Sequence, residues 1–225
     1  MARSRALLGQ VLRATGDDES ADFELRSARD EFARLGAEPD EAAAERELQS
    51  AVERRTAPVQ TRKTFMFTDI VDSTRYAELL GNDQWERLLR QHDVMLRERV
   101  AKHGGEIVSS TGDGFFVAFD SASQGIECAR SIQRALAEHR QGSGFALSVR
   151  IGLHSAEANR RGADYSGVGV HLAARVASVG GGGEIVATTD TLDEAGESAR
   201  SDRREVTLKG VSAAVGVETV IWAET

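Results

Sequence analysis

From residue 63 onward the sequence alternates between short apolar strand patterns and amphipathic helix patterns, and this alternation restricts the possible folds more than any other feature. Apolar side chains occupy every second position from Phe145 to Leu153, and this period of two predicts a half-buried strand. Other strands are predicted at 63–71, 106–110, 114–119, 184–187, 205–208 and 217–222, and helices at 72–81, 83–102, 122–139 and 168–179. The mixture predicts an α/β (α+β) fold in which helices pack on a largely antiparallel sheet.

The first 62 residues differ in composition, because Ala, Glu, Arg and Leu dominate and little in them favours strands. Helix patterns occupy 4–14, 20–35 and 40–53, and Ser20 and Asp40 are predicted to cap the second and third helices. A polar stretch containing Pro58 follows. We therefore predict three parts, a helical segment at 1–56, a linker at 57–62 and a second domain at 63–225.

Small and large apolar residues of the helical segment follow a recognisable spacing. They resemble one tetratricopeptide repeat, the last of an array, at Leu8, Gly9, Leu12, Ala21, Leu25 and Ala28. An amphipathic helical hairpin that packs on another surface explains the same pattern. Both interpretations stay open at this point.

Charge and cysteine content exclude several classes of protein. The net charge is −8 and no stretch is dense in Lys or Arg, which argues against nucleic acid or an anionic membrane as the main partner. No apolar run approaches the roughly 20 residues of a spanning helix, and the N-terminus lacks the apolar core of a signal peptide. The single cysteine, Cys128, excludes an intrachain disulfide and suits a reducing compartment. We expect a cytoplasmic protein.

Two carboxylates lie where carboxylates are costly. Asp69 ends an apolar strand pattern, and Asp113 lies at the tip of a predicted hairpin. An ionised acid beside buried strands costs several kcal/mol unless a cation or strong donors compensate it. If the two strands are neighbours, the carboxylates converge, and such hard oxygen ligands suit Mg²⁺ or Mn²⁺. Taken singly, Asp69 could instead cap a turn, and Asp113 could be a tolerant turn residue.

The chain enters a helix directly after Asp69, through the sequence Ile70-Val71-Asp72-Ser73-Thr74. A strand-to-helix turn presents free backbone N–H groups and the positive end of a helix dipole, which together favour a phosphate group. A simpler interpretation is that Asp72 or Ser73 caps the helix. The two roles are compatible.

Four segments resemble, in order, the motifs of the class III nucleotidyl cyclase catalytic domain: FTDIVDST at 67–74, STGDGF at 110–115, GLH at 152–154 and GVGVHLAAR at 167–175. The segment LKGV at 208–211, with Lys209, looks like the closing strand of that domain. The resemblance covers about 63–222. It implies a ferredoxin-like βαββαβ core, a head-to-tail homodimer with sites at the interface, and adenylate cyclase activity that converts ATP to cyclic AMP and pyrophosphate.

The resemblance also assigns roles to residues. Two Mg²⁺ or Mn²⁺ ions would be held by Asp69, Asp113 and the backbone carbonyl of Ile70, and backbone amides from Ile70 to Thr74 would hold the triphosphate. The partner chain would supply Arg175 as the arginine that stabilises the transition state, with His171 one helical turn earlier. Asp164 matches the acid that reads the purine and favours ATP over GTP. An ordinary surface arginine and an exposed loop aspartate are the simpler interpretations of Arg175 and Asp164.

This sequence departs from the family pattern at three positions. Ser109 stands where adenylyl cyclases of this family usually have a lysine, His171 where an asparagine usually orients the ribose, and Asp72 where a glycine is frequent. The metal acids and Arg175 are present, so the resemblance implies an intact catalytic apparatus with altered substrate contacts. Alternatives are a cyclase-like domain that binds nucleotide or a partner without turnover, and a protein-interaction module.

The remaining histidines and glycines have simple interpretations. His92 falls on the apolar face of its predicted helix, and His103 and His139 lie near helix ends, so core or capping roles are expected rather than metal binding. Cys128 is expected to pack in a helix. The glycines at 180–183 follow a helix, and no Gly-Lys-Ser/Thr accompanies them, which predicts a helix stop rather than a phosphate loop.

Overall fold

Helices make up the first unit of the chain, Met1–Pro58, as its composition predicts. The computed structural model describes residues 1–56, 59–201, 203–211 and 213–223. The first unit contains α1 (Ala2–Ala14), α2 (Asp18–Leu35) and α3 (Glu38–Thr56). Helix α1 packs on α2, and α2 packs on α3. The three predicted helices are thus confirmed.

Helices α1 and α2 approach closely at a glycine. A Cβ atom on Gly9 would lie 2.7 Å from Cγ of Leu25 and 3.1 Å from the carbonyl oxygen of Ala21, so a larger residue would separate the helices. The predicted caps are wrong. The side chain of Asp17 accepts a hydrogen bond from the Ser20 amide and caps α2, because it stands three residues before that free N–H, and Asp40 lies inside the first turn of α3.

The second unit, Val59–Thr225, is built on one eight-stranded sheet. Its strands are β1 (Val59–Ile70), β2 (Glu106–Ser110), β3 (Gly114–Phe119), β4 (Val149–Arg161), β5 (Asp164–Ser166), β6 (Ile185–Thr188), β7 (Arg204–Val206) and β8 (Val215–Thr219). The order across the sheet is β2-β3-β1-β4-β6-β8-β7, and β5 pairs with β4. Only the β4–β6 pairing is parallel among the strands that the structure describes. The predicted α+β fold with a largely antiparallel sheet is confirmed.

Five helices accompany this sheet in the described residues: α4 (Ser73–Leu80), α5 (Asn82–Lys102), α6 (Ala122–Ser143), α7 (Val168–Val179) and α8 (Thr189–Ala195). Strands β1 to β4 and helices α5 and α6 follow the βαββαβ order. Helices α5 and α6 cover one face of the sheet, where Leu96 and Ile132 join the largest buried cluster. Helix α7 covers the other face, where Ala173 packs with Phe65 and Phe116.

Several element bounds differ from the sequence prediction. Strand β1 begins at Val59, and residues 59–62, predicted as part of a linker, pair with β4; the other two linker residues lie outside the described part of the chain. Strand β4 begins only at Val149 but continues to Arg161, and β5 and α8 were not predicted. These segments are polar, so no apolar period marked them.

Burial confirms the predictions for two single residues, Cys128 and His92. Cys128 is fully buried, and burial raises the pKa of its thiol to about 12, which makes it a packing residue. His92 is 4% exposed and lies on the buried side of α5. Among the described residues, no helix is both long enough and apolar enough to cross a bilayer.

Gly152 provides the first test of this packing, because a Cβ atom there would lie 2.1 Å from the backbone nitrogen of Ala177 on α7. We expect Gly152→Ala to lower the free energy of unfolding by about 2 kcal/mol or more, since backbone atoms cannot move aside as a side chain can. Gly142→Ala is the control, because no atom lies within 4 Å of that Cβ position. It should raise stability by up to about 1 kcal/mol. Equal urea midpoints for the two variants would contradict this account.

His92 provides a test through pH, because burial lowers its pKa to about 4, with Asp93 opposing the shift. Between pH 6.5 and 4 the unfolded chain binds a proton that the folded chain excludes, so stability is lost as the pH falls through this window. One such proton changes the free energy of unfolding by up to about 1.4 kcal/mol per pH unit. In urea titrations at a series of pH values, we expect the free energy of unfolding to fall less steeply with falling pH in His92→Leu than in the wild type. An identical pH dependence of the free energy of unfolding in the two proteins would contradict a buried neutral imidazole.

Candidate active site

Strand pairing brings the two predicted acids together. Asp69, the penultimate residue of β1, pairs with Gly114 of β3, so Asp113 lies immediately beside it at the turn that precedes β3. The Ile70 amide donates to the Asp113 carbonyl oxygen at 3.2 Å and closes this end of the ladder. Both carboxylates therefore stand at one edge of the sheet, where Ile70 ends β1.

Each carboxylate has a donor on a neighbouring element. Arg150 of β4 pairs with Asp69 across the other side of β1, and its Nε and Nη2 lie 2.8 and 2.5 Å from Oδ2 of Asp69. The Ser73 hydroxyl donates to Oδ2 of Asp113 at 2.9 Å. These donors offset the cost of placing two acids side by side at the end of buried strands.

Arg150 is the functional candidate that the sequence did not reveal. The alternation of Val149 and Ile151 placed it on the opposite face of a strand, but only the register of β4 against β1 puts it opposite Asp69. An arginine between apolar positions of a predicted strand was the available signal. Its partner was not readable from the sequence.

The turn after β1 has fewer free amides than the sequence suggested. The Ile70 amide donates to Asp113, and the Val71 amide donates to the Ser148 carbonyl oxygen at 2.8 Å, so neither is available to a ligand. The first backbone hydrogen bond of α4 is donated by the Tyr76 amide to the Asp72 carbonyl oxygen. The amides of Ser73 and Thr74 precede it at the positive end of the helix dipole.

Asp72 occupies an unusual backbone conformation, with φ 60° and ψ 29° in the left-handed region. A glycine adopts this conformation without cost, and aspartate is among the few other residues that tolerate it. The Asp72 side chain makes no capping hydrogen bond to α4 and is exposed. Its simpler interpretation as a side-chain cap is therefore wrong, and the geometry explains why a glycine also suits this position.

Two cavities meet at Asp69 and Arg150, which line both. One, of about 500 Å³, lies over the turn after β1 and is lined also by Asp72, Ser73 and Thr74. The other, of about 280 Å³, lies between the sheet edge and α7; its further lining includes Ser109, Phe67, Phe116, Ala174 and Ser178. The rings of Phe67 and Phe116 are stacked with centroids 4.5 Å apart and form an apolar wall. One chain thus offers a polar cavity beside a partly apolar one.

The other predicted site residues lie elsewhere on the same chain. The Arg175 guanidinium rests against the turn that follows Lys209, where a Cβ on Gly210 would lie 3.0 Å from Nη1. His171 is exposed on α7, and Asp164 is exposed on β5. In the part of the chain that the structure describes, none of Arg175, His171, Asp164 and Lys209 lines either cavity at Asp69.

The donor set at the acidic pair fits a hard divalent cation. Among the described residues, no group of three or more His, Cys, Asp or Glu side chains is placed to hold a metal ion. Mg²⁺ is commonly bound by one or two carboxylates together with substrate phosphates and water. Asp69, Asp113 and the Ile70 carbonyl fit that pattern, and the guanidinium on Asp69 shows that the site attracts positive charge.

Comparison with known proteins gives a consistent result. Residues 57–222 match the family described as the adenylate and guanylate cyclase catalytic domain. The chain is 29% identical over 173 residues to the adenylate cyclase of Mycosarcoma maydis, and the match covers 64% of this chain and 7% of that protein. The chain therefore spans only a small part of this relative's length.

Solved structures share the fold. The guanylyl cyclase Cya2 superposes with a TM-score of 0.65 at 26% identity, over 73% of this chain and 93% of that one. The adenylyl cyclase CyaB from P. aeruginosa superposes with a TM-score of 0.62 at 23% identity, over 74% and 97% of the respective chains. Both kinds of cyclase are thus represented among the similar structures.

The exposure of the acidic pair predicts how variants there affect folding. The side chains of Arg150 and Asp69 are 32% and 37% exposed, so we expect Asp69→Asn to lower the free energy of unfolding by less than about 1 kcal/mol. Thr68→Val is the contrasting variant, because the buried Thr68 hydroxyl accepts the Phe115 amide hydrogen bond at 3.1 Å. Thr68→Val should lower the free energy of unfolding by about 1–3 kcal/mol. If urea unfolding shows a larger loss of free energy of unfolding in Asp69→Asn than in Thr68→Val, Asp69 is mainly structural.

Proposed function

Because the chain belongs to the adenylate and guanylate cyclase catalytic domain family, we propose that it converts ATP to 3′,5′-cyclic AMP and pyrophosphate. The observation that carries the proposal is the placement of Asp69 and Asp113 side by side, next to the start of α4. The motifs at 67–74, 110–115 and 167–175 support it, as does the similarity to an adenylate cyclase.

Asp69, Asp113 and the Ile70 carbonyl would hold two Mg²⁺ or Mn²⁺ ions. When bound, such ions lower the pKa of the ribose 3′-hydroxyl and offset the charge of the triphosphate. Arg150 lines both cavities, so its guanidinium can bind a phosphate oxygen close to where it now binds Asp69. The amides of Ser73 and Thr74 would bind the terminal phosphates at the start of α4.

The remaining groups would come from a second copy of the chain. Arg175, His171 and Lys209 lie outside the cavities at Asp69, which supports a head-to-tail homodimer in which each site combines both chains. The permanent charge of Arg175 would stabilise the charge that develops at the α-phosphate, and His171 would donate one hydrogen bond to the ribose. Catalysis then depends on positioning and on electrostatics.

Base preference would depend on Asp164 and Ser109. A carboxylate accepts a hydrogen bond from the exocyclic amine of adenine and opposes the carbonyl oxygen of guanine, so Asp164 favours ATP. The Ser109 hydroxyl brings a hydrogen bond without the charge of the lysine usual in the family, which predicts weaker selectivity. We therefore propose ATP as the preferred substrate and GTP as a poorer one.

We propose that the first unit contains a tetratricopeptide-repeat-like helical pair that binds a segment of a partner protein. The burial of Gly9, Ala21, Leu25 and Ala28 at their helix contacts supports this proposal. Under it, deletion of the first 55 residues removes partner binding and leaves nucleotide turnover intact.

A turnover assay with complementation tests the proposed function. With Mn²⁺ and ATP we expect pyrophosphate and cyclic AMP, and we expect Asp69→Asn and Arg175→Ala each to reduce the rate at least 100-fold. An equal mixture of the two variants should recover about a quarter of the wild-type rate, since half of the dimers are mixed and each carries one intact site of two. Arg204→Ala, an exposed arginine of β7, is the control and should keep full activity.

Three outcomes would contradict this proposal. Full activity in Asp69→Asn would contradict the assignment of Asp69 as a metal ligand. Absence of recovery in the mixture, with each variant alone as inactive as expected, would contradict a site shared between two chains. Thermal stabilisation by ATP without product at any metal concentration would support instead a domain that binds nucleotide without turnover, the reading that Ser109 and His171 favour.

A further inference from the structure

A third cavity lies on the opposite face of the sheet from the acidic pair. Along β1, Ile70 and Met66 point towards α5 and α6, whereas Phe65 and Phe67 point towards α7, so Asp69 shares the α7 face. The third cavity has a volume of about 290 Å³ and lies between α5 and α6. Its apolar lining comes from Leu88, Met95, Ala135, Leu136, Ala146 and Leu147.

One polar side chain in this cavity is left without any partner. His92 lines the cavity and is 4% exposed, yet neither of its ring nitrogens has a hydrogen-bond partner. Leaving a buried donor or acceptor unpaired costs about 1–3 kcal/mol. An unpaired side chain of this kind in a cavity wall indicates that a ligand or a water molecule supplies its missing hydrogen bonds.

Two more unpaired nitrogens belong to Arg99 in the last turn of α5 and to His103 directly after the helix. Nε of Arg99 and Nε2 of His103 are buried without hydrogen-bond partners, seven and eleven residues after His92. Arg99 lines the third cavity and also a neighbouring one of about 230 Å³ whose lining includes Lys102, His103 and Arg134. The two cavities share Arg99, Ala135 and Glu138 and form one groove, here called the α5–α6 groove.

The groove has an apolar end and a basic end. Leu88, Met95 and Leu136 surround His92, whereas Arg99 and Lys102 lie towards the other end. Of the acids along the groove, Glu127 is paired with Arg130 at 2.8 Å. Arg99 and Lys102 therefore outnumber the remaining acid, Glu138, which is exposed. The charge favours an anion at the centre of the groove.

We propose that the α5–α6 groove binds a small amphipathic monocarboxylate. The apolar body of the ligand lies between α5 and α6, its carboxylate accepts hydrogen bonds from Arg99, and the His92 imidazole donates one more. Arg99 lines the same cavity as His92, and its Nε is buried without a hydrogen-bond partner, so one carboxylate can reach both side chains. A volume of about 290 Å³ is at the small end of ligand pockets, which limits the ligand to about the size of octanoate.

This site is independent of the nucleotide chemistry proposed above. It lies on the opposite face of the sheet and shares no lining residue with the cavities at Asp69. Failure of the cyclase assay would leave it unchanged, and absence of carboxylate binding would leave the cyclase proposal unchanged.

The experiment titrates the full chain with carboxyl-¹³C-labelled octanoate by NMR. We expect saturable binding that shifts the carboxyl resonance and the ring signals of His92. Arg99→Gln should weaken binding at least tenfold, because it removes a charge-assisted hydrogen bond. Arg90→Gln is the matched control on the same helix, since Arg90 is exposed and pairs with Glu86 outside the groove. It should bind as the wild type does.

Three further arms locate the ligand. Ala135→Phe fills the groove and should abolish binding while the melting temperature stays within a few degrees of the wild type. Glu138→Gln should strengthen octanoate binding, because it removes a like charge beside the carboxylate. Octanol, which has the same chain without the charge, should bind at least tenfold more weakly than octanoate.

The proposal is overturned by any of four results. The first two are absence of saturable octanoate binding to the wild type and equal octanoate affinity in Arg99→Gln and Arg90→Gln. The other two are undiminished octanoate binding in folded Ala135→Phe and equal affinity of the wild type for octanol and octanoate.

Discussion

The pairing of β1 with β3 on one side and β4 on the other is the constraint on which the site depends. It sets Asp69 between Gly114 and Arg150, and it places Asp113 beside the end of β1. A slip of one residue in either ladder would turn Asp69 away from Arg150 and move it to the wrong face. The buried side chains of β1 fix this register, because Phe65 and Met66 must each meet a different apolar layer.

Close backbone approach is the second constraint. Gly152 on β4 and Gly169 on α7 have no side chain to hold the two elements apart, and a Cβ on Gly169 would lie 2.2 Å from Cβ of Ala156. Helix α7 therefore lies directly on β4 and carries His171 and Arg175 on a rigid support. The acidic edge and the arginine are fixed by the same sheet, although they do not share a cavity within one chain.

The sequence predicted the elements best where apolar period and turn chemistry agreed. The bounds of β2, β3 and α7 match the prediction, because a Thr-Gly-Asp turn or glycines delimit each of them. The start of β1 and the end of β4 were missed, since their paired ends are polar and exposed.

The site residues were likewise predictable where a local sequence pattern marked them and were missed where their position depends on long-range pairing. Asp69 was identified because it ends an apolar strand pattern, and Asp113 because it lies at the tip of a predicted hairpin. Their donors depend on long-range pairing: the partners of Asp69 and Asp113 stand 81 and 40 residues away in the sequence. The unpaired ring of His92 could not be predicted either, since an apolar helix face shows burial and does not show which hydrogen bonds are missing.

The most direct measurement of the central claim is electron paramagnetic resonance of Mn²⁺ bound with a non-cyclisable ATP analogue. Two ions shared by Asp69 and Asp113 should lie about 3.5–4 Å apart and give an exchange-coupled spectrum. That spectrum should be lost in Asp69→Asn and also in Asp113→Asn. An isolated Mn²⁺ signal in the wild type, or a coupled signal that survives either substitution, would contradict the account.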